Sequence, residues 1–490
     1  MDIKSVISYL NEEYGYSIDS AYYSYIEAWK DWWKGYYIPF HRYMENRNGK
    51  TFQRKLYRLG MGKKVCEDWA SLLLNEKTKI SIDDKQSDAF LQGENETDGI
   101  FGKTHFWQQE NALVEKAFWS GTGMTVLRLE NMLVENGRVL SDPETKIILE
   151  YLSAENVLPL TVKHGKIVDV AMVSEVLYQG QSYDYVETHI LKGDGYHITN
   201  QYFKEENGTL KPEQLPPGMV KSYCTGSDVP LFSPMYPNIV KNIDGGSGLG
   251  MSILENALDA LKGTDLAFNN FCRDFRLGGK KVFYDQTLVR WDENGKAITP
   301  DDIMQQLFLQ VGDGQSMQDS NKPLTEYNPT LRVEENRIGV QSMLDYLSFK
   351  VGLGTKHYQF NNGTIVTAKQ YTGDKQELVQ NASKHCINIE RHIQEIVKAI
   401  LWAGKFILGE PVNPDAQIQV KFDDGYIIDK EEERERDRQD VRDGVMQKWE
   451  YRVKWYDESE TDAKAAIDTG FDMNDPFGFN HQKVTGDAAT

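Results

Sequence analysis

The longest helical pattern in the chain, over residues 367–408, restricts the fold more than any other stretch. Apolar residues recur there at steps of three, four and seven, which is one face of an α-helix, and no proline interrupts them. The face consists of Tyr371, Leu378, Ala382, Cys386, Ile389, Ile393, Ile396, Ile400, Ala403 and Ile407. At about 1.5 Å per residue this helix would be roughly 60 Å long, about twice the diameter of a small domain. Such a length is typical of a helix that spans layers of an assembly.

Both ends of the long helix carry signals, and a shorter helix precedes it. Thr367 followed by Gln370 matches a capping box, and Gly409 with Pro411 supplies a stop. Four apolar residues at helical spacing predict the shorter helix. They are Val340, Leu344, Leu347 and Val351. The loop between the helices, residues 352–366, is interpreted either as an ordinary αα-hairpin connection or as a mobile loop presented by two rigid helices.

Composition limits the class of protein. A chain of 490 residues with 40% hydrophobic content predicts about two to four domains with real cores. A formal charge of −19 and a pI near 5.0 argue against tight nonspecific nucleic-acid binding over the whole surface. The cysteines lack paired spacing, residues 1–17 have no apolar signal region, and no apolar run reaches the roughly 18 residues of a membrane span. The sequence therefore predicts a soluble, cytosolic protein with reduced cysteines.

The N-terminal half predicts helices followed by short strands. An aromatic stripe at helical spacing is interpreted as core packing, with a platform for bases or sugars as the alternative. The stripe consists of Tyr22, Tyr25, Trp29, Trp32, Tyr36 and Phe40. Further helices are predicted over residues 61–75 and 103–119. Alternating runs between turn signals then predict one antiparallel meander. Its strands would be residues 125–129, 146–151, 157–162, 167–178, 183–191 and 196–203.

A glycine cluster over residues 245–250 lacks the spacing of a dinucleotide-binding loop, so it is interpreted as freeing the start of the next helix. That helix is predicted over residues 251–277. One face would carry Leu254, Leu258, Leu261, Phe268, Phe271 and Phe275. The end is basic, with Arg273, Arg276, Lys280 and Lys281. These cations complement the helix dipole, and in a ring of subunits they would also line a passage with positive charge.

A compact αβ insert is predicted between this helix and the one over residues 334–351. A strand at 282–289 precedes the motif Thr299-Pro300-Asp301-Asp302, which matches a helix N-cap with proline at the first position. The short helix that follows would hold Ile303, Met304, Leu307 and Phe308. Residues 324–331 would form a closing strand.

The C-terminal region predicts a charged helix and a packed one. Residues 429–443 are almost entirely charged, with ion pairs at helical spacing such as Glu435 with Arg438. Apolar residues then predict packing beside a further helix at 460–468. They are Tyr451, Val453, Trp455 and Tyr456.

Patterns for catalysis and metal binding are weak. His385 and His392 share one face of the long helix, but no carboxylate or cysteine nearby in sequence completes a metal site. The carboxylate pairs at 301–302 and 423–424 are explained by a helix N-terminus and a turn. We therefore expect no enzymatic activity, no cofactor and no bound metal.

Several segments, taken in order, resemble a known family. The segments are residues 252–257, 265–268 and 274–283, Thr367-Ala368 at the start of the long helix, Phe422-Asp423-Asp424, and Lys448-Trp449-Glu450-Tyr451. They resemble portal proteins of tailed bacteriophages that infect Gram-positive bacteria, and the resemblance covers essentially the whole chain.

The resemblance implies an α+β portal architecture made of a wing, a helical stem, a small αβ clip, a long helix and a helical crown. The implied divisions are the wing at 1–245, the stem helix at 246–281, the clip at 282–333, the second stem helix at 334–351, the tunnel loop at 352–366, the long helix with a return to the wing at 367–428, and the crown with its tail at 429–490.

The same resemblance implies a ring of about twelve subunits at one capsid vertex, with partners and site residues to match. Double-stranded DNA would pass through the ring without sequence specificity. The partners would be the terminase large subunit, a head-to-tail adaptor, and the major capsid and scaffold proteins, with no membrane involved. The tunnel-loop site would hold Lys350, Lys356, His357, Asn361 and Asn362, and the basic stem the four cations named above. The partner-binding residues of the clip would be Asp301, Asp302, Gln305 and Gln306.

A simple calculation agrees with that expectation. Twelve helices spaced roughly 10 Å apart around a channel leave an opening of about 28 Å after one helix thickness is subtracted. Duplex DNA of about 20 Å would pass through it. The alternatives are a ring-forming virion or scaffold protein that conducts no DNA and, third, an enzyme such as a nuclease or carbohydrate hydrolase.

Overall fold

The computed structural model describes residues 3–47, 49–93, 98–178, 180–206, 209–216, 218–284, 290–291, 293–294, 297–298, 308–310, 324–359, 368–422, 430–456 and 458–468. The described residues of 1–365 and 377–423 form one compact unit, and those of 366–376 and 424–490 form another. Among the described residues, the structure contains no helix whose length and apolar character would let it cross a lipid bilayer.

Helices dominate both units. The α-helices are α1 (Ile3–Tyr14), α2 (Tyr22–Trp33), α3 (Ile38–His41), α4 (Met61–Leu73), α5 (Lys85–Gln92), α6 (Ile100–Lys103), α7 (Phe106–Ser120), α8 (Leu258–Leu277), α9 (Val333–Lys350), α10 (Ala368–Phe406), α11 (Lys430–Arg442), α12 (Lys448–Tyr456) and α13 (Glu460–Asp468). Short 3-10 helices occur at Ala154–Asn156 and Glu255–Ala257. The predicted helices at 61–75, 103–119, 334–351 and 460–468 are confirmed.

The strands lie in the first unit. They are β1 (Arg42–Arg47), β2 (Lys50–Lys55), β3 (Lys79–Ile82), β4 (Gly123–Glu130), β5 (Val134–Glu135), β6 (Arg138–Val139), β7 (Lys146–Ser153), β8 (Val157–Lys163), β9 (Lys166–Tyr178), β10 (Gln181–Lys192), β11 (Gly195–Glu206), β12 (Thr209–Glu213), β13 (Ser222–Cys224), β14 (Phe232–Met235), β15 (Lys281–Tyr284), β16 (Arg290–Trp291), β17 (Ala297–Ile298), β18 (Phe308–Gln310), β19 (Leu324–Tyr327) and β20 (Ile418–Lys421).

The prediction of a single meander is wrong in one respect, because its strands divide between two sheets. Strands β8, β9, β10 and β11 pair antiparallel in chain order, and β13, β6 and β5 extend that sheet. Strand β4 pairs with β7 on one side and with β14 on the other in a separate sheet. The division falls at the 3-10 helix Ala154–Asn156, where the chain leaves one sheet and begins the other. This turn of helix has no apolar periodicity that would mark it in the sequence.

The long helix is confirmed as α10, with 39 residues. Its predicted face is buried at Leu378, Ala382, Ile389, Ile393, Ile396, Ile400, Ala403 and Ile407. The helix ends before Gly409, whose φ of 75° is left-handed and suits glycine. Thr367, the predicted cap, lies outside the described residues.

The start of α8 corrects the sequence prediction. The helix was expected from residue 251, yet Leu258 is its first residue. The backbone N–H of Ile253 donates to the Phe118 carbonyl at 3.0 Å, and the N–H of Leu254 donates to the Ser252 hydroxyl at 3.1 Å. These residues therefore bond to α7 and to a local turn instead of to a helix ladder. A Cβ on Gly250 would stand 2.3 Å from the Gly121 carbonyl oxygen, so only glycine allows this close approach.

In the insert between α8 and α9, the prediction was wrong for one residue. Phe308 was predicted to lie in a short helix, but it begins strand β18, which pairs in parallel with β15. The closing strand is confirmed as β19, antiparallel to β15. Phe308 pairs in register with Val282 of β15, and a short run of apolar residues cannot by itself distinguish a strand from a helix.

In the second unit, α12 packs beside α13 as predicted, and it also packs against the charged helix α11. Tyr451 is fully buried, and Asp437 accepts from the Trp455 indole at 2.8 Å and pairs with Lys454 at 2.7 Å. The predicted ion pair between Glu435 and Arg438 is present at 3.3 Å.

Candidate functional site

The paired helices α8 and α9 are the elements on which the channel residues were predicted. At its start, α8 is fixed to the first unit by Asp265, a buried carboxylate. The backbone N–H groups of Leu59 and Gly60 donate to its Oδ1 at 2.7 and 3.2 Å. The fully buried His41 imidazole lies 2.9 Å from its Oδ2. One turn on, Asn269 accepts from the N–H of Tyr57 at 3.1 Å. Because Asp265, Asn269 and His41 are buried, loss of one partner would leave a buried polar group unsatisfied, which is costly.

The anchored face of α8 continues as a basic face. Arg273 and Arg276 follow Asp265 and Asn269 at steps of four and three, so all four lie along one side of the helix. The first two are buried against residues 57–60, whereas both arginines are exposed. Among the described residues, neither arginine has an ion-pair partner. They are therefore available to an anion that approaches this side.

The opposite side of α8 is joined to the start of α9. Asp274 accepts from Arg332 at 3.1 Å (Nε) and 2.7 Å (Nη2), and from the Asn336 amide at 2.7 Å. These donors hold the pKa of Asp274 below its ordinary value. The predicted stem residue Lys280 pairs with Glu326 of β19 at 2.7 Å, and Lys281 begins β15. The four predicted stem cations thus divide into two arginines without an ion-pair partner in the described part of the chain and two lysines at the sheet of the insert.

The segment after α9 is held against α4 and α10. The Trp69 indole donates to the carbonyl of Val351 at 3.1 Å, and the Asn381 amide donates to that of Gly352 at 3.0 Å. The Gln341 amide donates to the Tyr358 carbonyl at 2.7 Å. The start of the predicted tunnel loop therefore accepts hydrogen bonds from side chains of three helices, α4, α9 and α10.

Two of the predicted loop residues differ in their surroundings. Lys356 is exposed and has a φ of 67°, which few residues with a side chain adopt. His357 lies instead beside Asp68 of α4, with a nitrogen-to-oxygen distance of 3.8 Å. Burial raises the pKa of Asp68, but the neighbouring His357 and Lys64 outweigh it, so the pKa lies below its ordinary value. Lys350 is exposed at the end of α9. The other predicted residues lie outside the described ranges: Asn361, Asn362, Asp301, Asp302, Gln305 and Gln306.

Large apolar side chains on α8 and α9 remain exposed in the single chain. The most exposed are Leu266, Phe275, Leu277, Ile338, Tyr346 and Phe349, each with between 47% and 64% of its surface accessible. Phe275 was predicted to lie on the buried face of α8, and the structure shows it half exposed. Apolar surface concentrated on one pair of helices is typical of a protein–protein interface.

Sequence reasoning missed two buried polar clusters. No carboxylate partner of His392 was identified from sequence, but Glu110 of α7 lies 3.1 Å from it, and the Thr125 hydroxyl donates to that glutamate at 3.0 Å. His385 accepts from the Asn238 N–H at 3.0 Å, and burial lowers its pKa to about 4.

The second cluster joins Arg128 of β4 to Glu187 and His189 of β10, two strands that belong to different sheets. Arg128 and His189 each lie 2.6 Å from Glu187. Burial opposes ionisation of Glu187, but Arg128 and His189 lower its pKa to about 2. Both clusters join residues far apart in sequence or on alternate strand positions, and no short motif indicates either.

Comparison with known families identifies the protein family to which the chain, including the helix pair, belongs. The family model described as phage portal protein, SPP1 Gp6-like, matches residues 14–448. The chain belongs to this phage portal family. The portal family is structural, and its members act in the virion capsid as oligomers with capsid and packaging partners. No curated protein matches the sequence.

Family membership also confirms the predicted α+β class, which the described helices and strands show directly. The match includes α8, α9, the described parts of the insert and all of α10. The helix pair and the segment after it are therefore portal elements.

Proposed function

We propose that the chain forms a closed ring at one capsid vertex, through which double-stranded DNA enters the head during packaging and leaves at ejection. The observation that carries this proposal is the apolar surface on α8 and α9, because these helices already pack on each other and still expose Phe275, Ile338 and Tyr346. A neighbouring copy of the same helix pair would cover that surface. A ring of about twelve copies, as the sequence resemblance implies, has cyclic symmetry and repeats one interface around its axis.

The charges on α8 fit a duct for DNA. Arg273 and Arg276 are exposed and unpaired among the described residues, whereas the whole chain carries a net charge of −19. A few cations in an acidic protein attract phosphates without the large counterion release that holds DNA tightly. DNA would then slide past the subunits and would not be retained by them.

The insert between α8 and α9 is proposed as the docking site for the terminase large subunit during packaging and for a head-to-tail adaptor afterwards. Lys280 pairs with Glu326 of its sheet, and Asp274 with Arg332 links the end of α8 to the start of α9. Partner docking at this insert would therefore be transmitted directly to the helix pair. Major capsid and scaffold proteins would contact other surfaces, and the Gram-positive host stays a prediction of the sequence resemblance.

Native mass spectrometry of the purified protein, with negative-stain images viewed down the ring axis, tests the proposal. We expect a closed ring of about a dozen subunits whose hole is wider than duplex DNA, about 20 Å. A protein that stays monomeric even when it is produced together with its scaffold protein would overturn the proposal. A closed ring whose hole is too narrow for a duplex would favour a scaffold that conducts no DNA.

A charge on the helix pair should prevent assembly. Tyr346→Glu places a carboxylate in the proposed interface, and we expect loss of rings with the circular dichroism of the subunit unchanged. Leu177→Glu is the matched control, because Leu177 is also exposed but lies on β9. Rings that form equally well in both variants would show that α8 and α9 do not make the interface.

The tunnel loop is tested at Lys356. Lys356→Ala should leave the ring intact and reduce the amount of DNA protected from nuclease inside heads, with the exposed Lys163→Ala as control. His357→Ala is measured separately, because loss of its contact with Asp68 would also loosen the start of the loop. Normal packaging by Lys356→Ala would remove that side chain from the mechanism.

A further inference from the structure

Three side chains with metal-binding atoms converge at one edge of the large sheet, far in sequence from the helix pair. Within the described ranges, Asp194, His197 and Cys224 form the one group of three such residues whose potential ligand atoms all lie within 4.8 Å of one another. The sequence gives no sign of the group, since the spacing of these residues matches no metal-binding motif.

Strand register explains why the three residues meet. His197 of β11 and Cys224 of β13 are directly opposed partners in an antiparallel pair, so their Cβ atoms are about 5 Å apart and on the same face of the sheet. Asp194 lies in the tight turn between β10 and β11, where Lys192 pairs with Gly195. A Cβ on Gly195 would stand 2.5 Å from the backbone N of Ser227, so the turn lies against the segment after β13. The site is thus built from a turn and two paired strands.

His197 and Cys224 each lie near a different oxygen of the Asp194 carboxylate. His197 Nε2 lies 2.8 Å from Asp194 Oδ1, and Cys224 Sγ lies 3.7 Å from Asp194 Oδ2. In a nucleophilic relay the imidazole would stand between thiol and carboxylate and use both ring nitrogens. Here the Cys224 thiol and the His197 imidazole both lie beside the Asp194 carboxylate, so all three ligand atoms are close enough to bind one cation.

The donor chemistry selects the cation. A thiolate, an imidazole nitrogen and a carboxylate oxygen together suit Zn²⁺, whereas Mg²⁺ and Ca²⁺ prefer oxygen ligands alone. Cys224 is buried, His197 is partly exposed and Asp194 is exposed. Three protein ligands with one side facing solvent leave room for water as a fourth ligand of a tetrahedral ion.

We propose that Asp194, His197 and Cys224 bind a divalent transition-metal ion of the zinc type, which joins the β10–β11 turn to β13. Binding displaces the proton of the Cys224 thiol and replaces the hydrogen bonds that these residues make to one another with bonds to the metal. The ion therefore stabilises the edge of the sheet. This proposal does not depend on ring formation or on passage of DNA.

Cobalt titration of the full-length, chelator-treated protein tests the site. Co²⁺ bound by a thiolate gives a charge-transfer band in the near ultraviolet, and we expect this band to grow to one equivalent per chain and to disappear when Zn²⁺ is added. Cys224→Ser should abolish the band. His197→Ala should weaken Co²⁺ binding by at least about tenfold, the loss typical even of residues that only support metal ligands.

Two control variants decide whether binding is specific. Cys272→Ser removes a partly exposed thiol on α8, and His164→Ala removes an exposed histidine in the β8–β9 turn. Both should bind Co²⁺ as the unchanged protein does. A missing band, or a band that Cys224→Ser retains, would overturn the proposal, and equal weakening by every variant would indicate adventitious surface binding.

Thermal unfolding gives a second, independent measure. A ligand that binds only the folded state raises the melting temperature, so Zn²⁺ should raise it for the unchanged protein and for Cys272→Ser. It should not do so for Cys224→Ser, whose melting temperature without metal reports whether the variant still folds. An equal rise with Zn²⁺ in all three proteins would contradict the proposed site.

Discussion

Asp265 and Asp274 are hydrogen-bonded carboxylates of helix α8 whose surroundings differ. Asp265 is buried and accepts from two backbone N–H groups while His41 stands beside it. Asp274 is partly exposed and bonds only to side chains at the start of α9. The first contact joins the helix to the body of the first unit through the backbone, whereas the second joins it to the neighbouring helix through long, solvated side chains.

This difference indicates which end of the helix pair can adjust. Backbone donors cannot move without moving the chain, and buried unpaired donors are costly. Exposed side-chain pairs are screened by salt and contribute little. A fixed base and an adjustable tip would suit the proposed docking of different partners at the insert.

The largest effect is expected at the base. Asp265→Ala leaves the Leu59 and Gly60 N–H groups and the His41 imidazole buried without their acceptor, and should lower the free energy of unfolding by about 3 kcal/mol. Urea unfolding of the full-length protein measures the change. If the loss were no larger than that of a substitution at Asp274, the base would not be the fixed end.

A smaller effect is expected where α9 ends. Trp69→Phe removes the indole N–H from the Val351 carbonyl and should destabilise the subunit by about 1–2 kcal/mol. Hydrogen exchange should then increase over residues 351–359. Trp107→Phe is the control, since the described contacts of Trp107 are with aromatic rings. Equal exchange in the two variants would mean that this bond does not hold the loop.

At the tip, Asp274→Ala should destabilise the subunit less than either substitution above. Arg332 and Asn336 would return to water when their acceptor is lost, so little is left unsatisfied. The difference from the unchanged protein should shrink further at high salt, because the pair is exposed. A loss that is insensitive to salt would show that the tip is held by more than this ion pair.

The smallest effect is the pH dependence of the same contact. Arg332 and then Asn336 hold the pKa of Asp274 below its ordinary value, so its contribution is complete above the ordinary carboxyl range and is lost as pH falls through the lowered pKa. The stability difference between the unchanged protein and Asp274→Asn should therefore be present at neutral pH and vanish in acid. If the stability difference persisted in acid, its cause would be the asparagine amide and not the loss of the negative charge.

Local patterns in the sequence predicted the helices well and the contacts between them poorly. The face of α10 follows from the spacing of Leu378, Ile389 and Ile400, because helical periodicity is a local property. The partner of His392 is Glu110, which no local pattern connects to it. Residues 251–257 were predicted as the first turns of α8, but the Ile253 N–H bonds to α7 and the N–H groups of Glu255 and Ala257 bond within a local turn, so tertiary contacts override local propensity.

For the candidate site, too, the sequence predicted which residues matter but not which residues they contact. The basic residues at the end of α8 were found from sequence, yet only the structure separates Arg273 and Arg276, which have no ion-pair partner among the described residues, from Lys280, which pairs with Glu326. The pairing of His197 with Cys224 depends on strand register, which the sequence of neither strand determines alone.

The bond between Leu59 and Asp265 also has a consequence during synthesis. The two residues are 206 positions apart in the chain. At typical translation rates of about 5–20 residues per second, roughly 10–40 s pass between their emergence from the ribosome. Throughout that interval the backbone donors at 59 and 60 have no acceptor on α8, so the N-terminal segment completes its fold only after the start of α8 has been made.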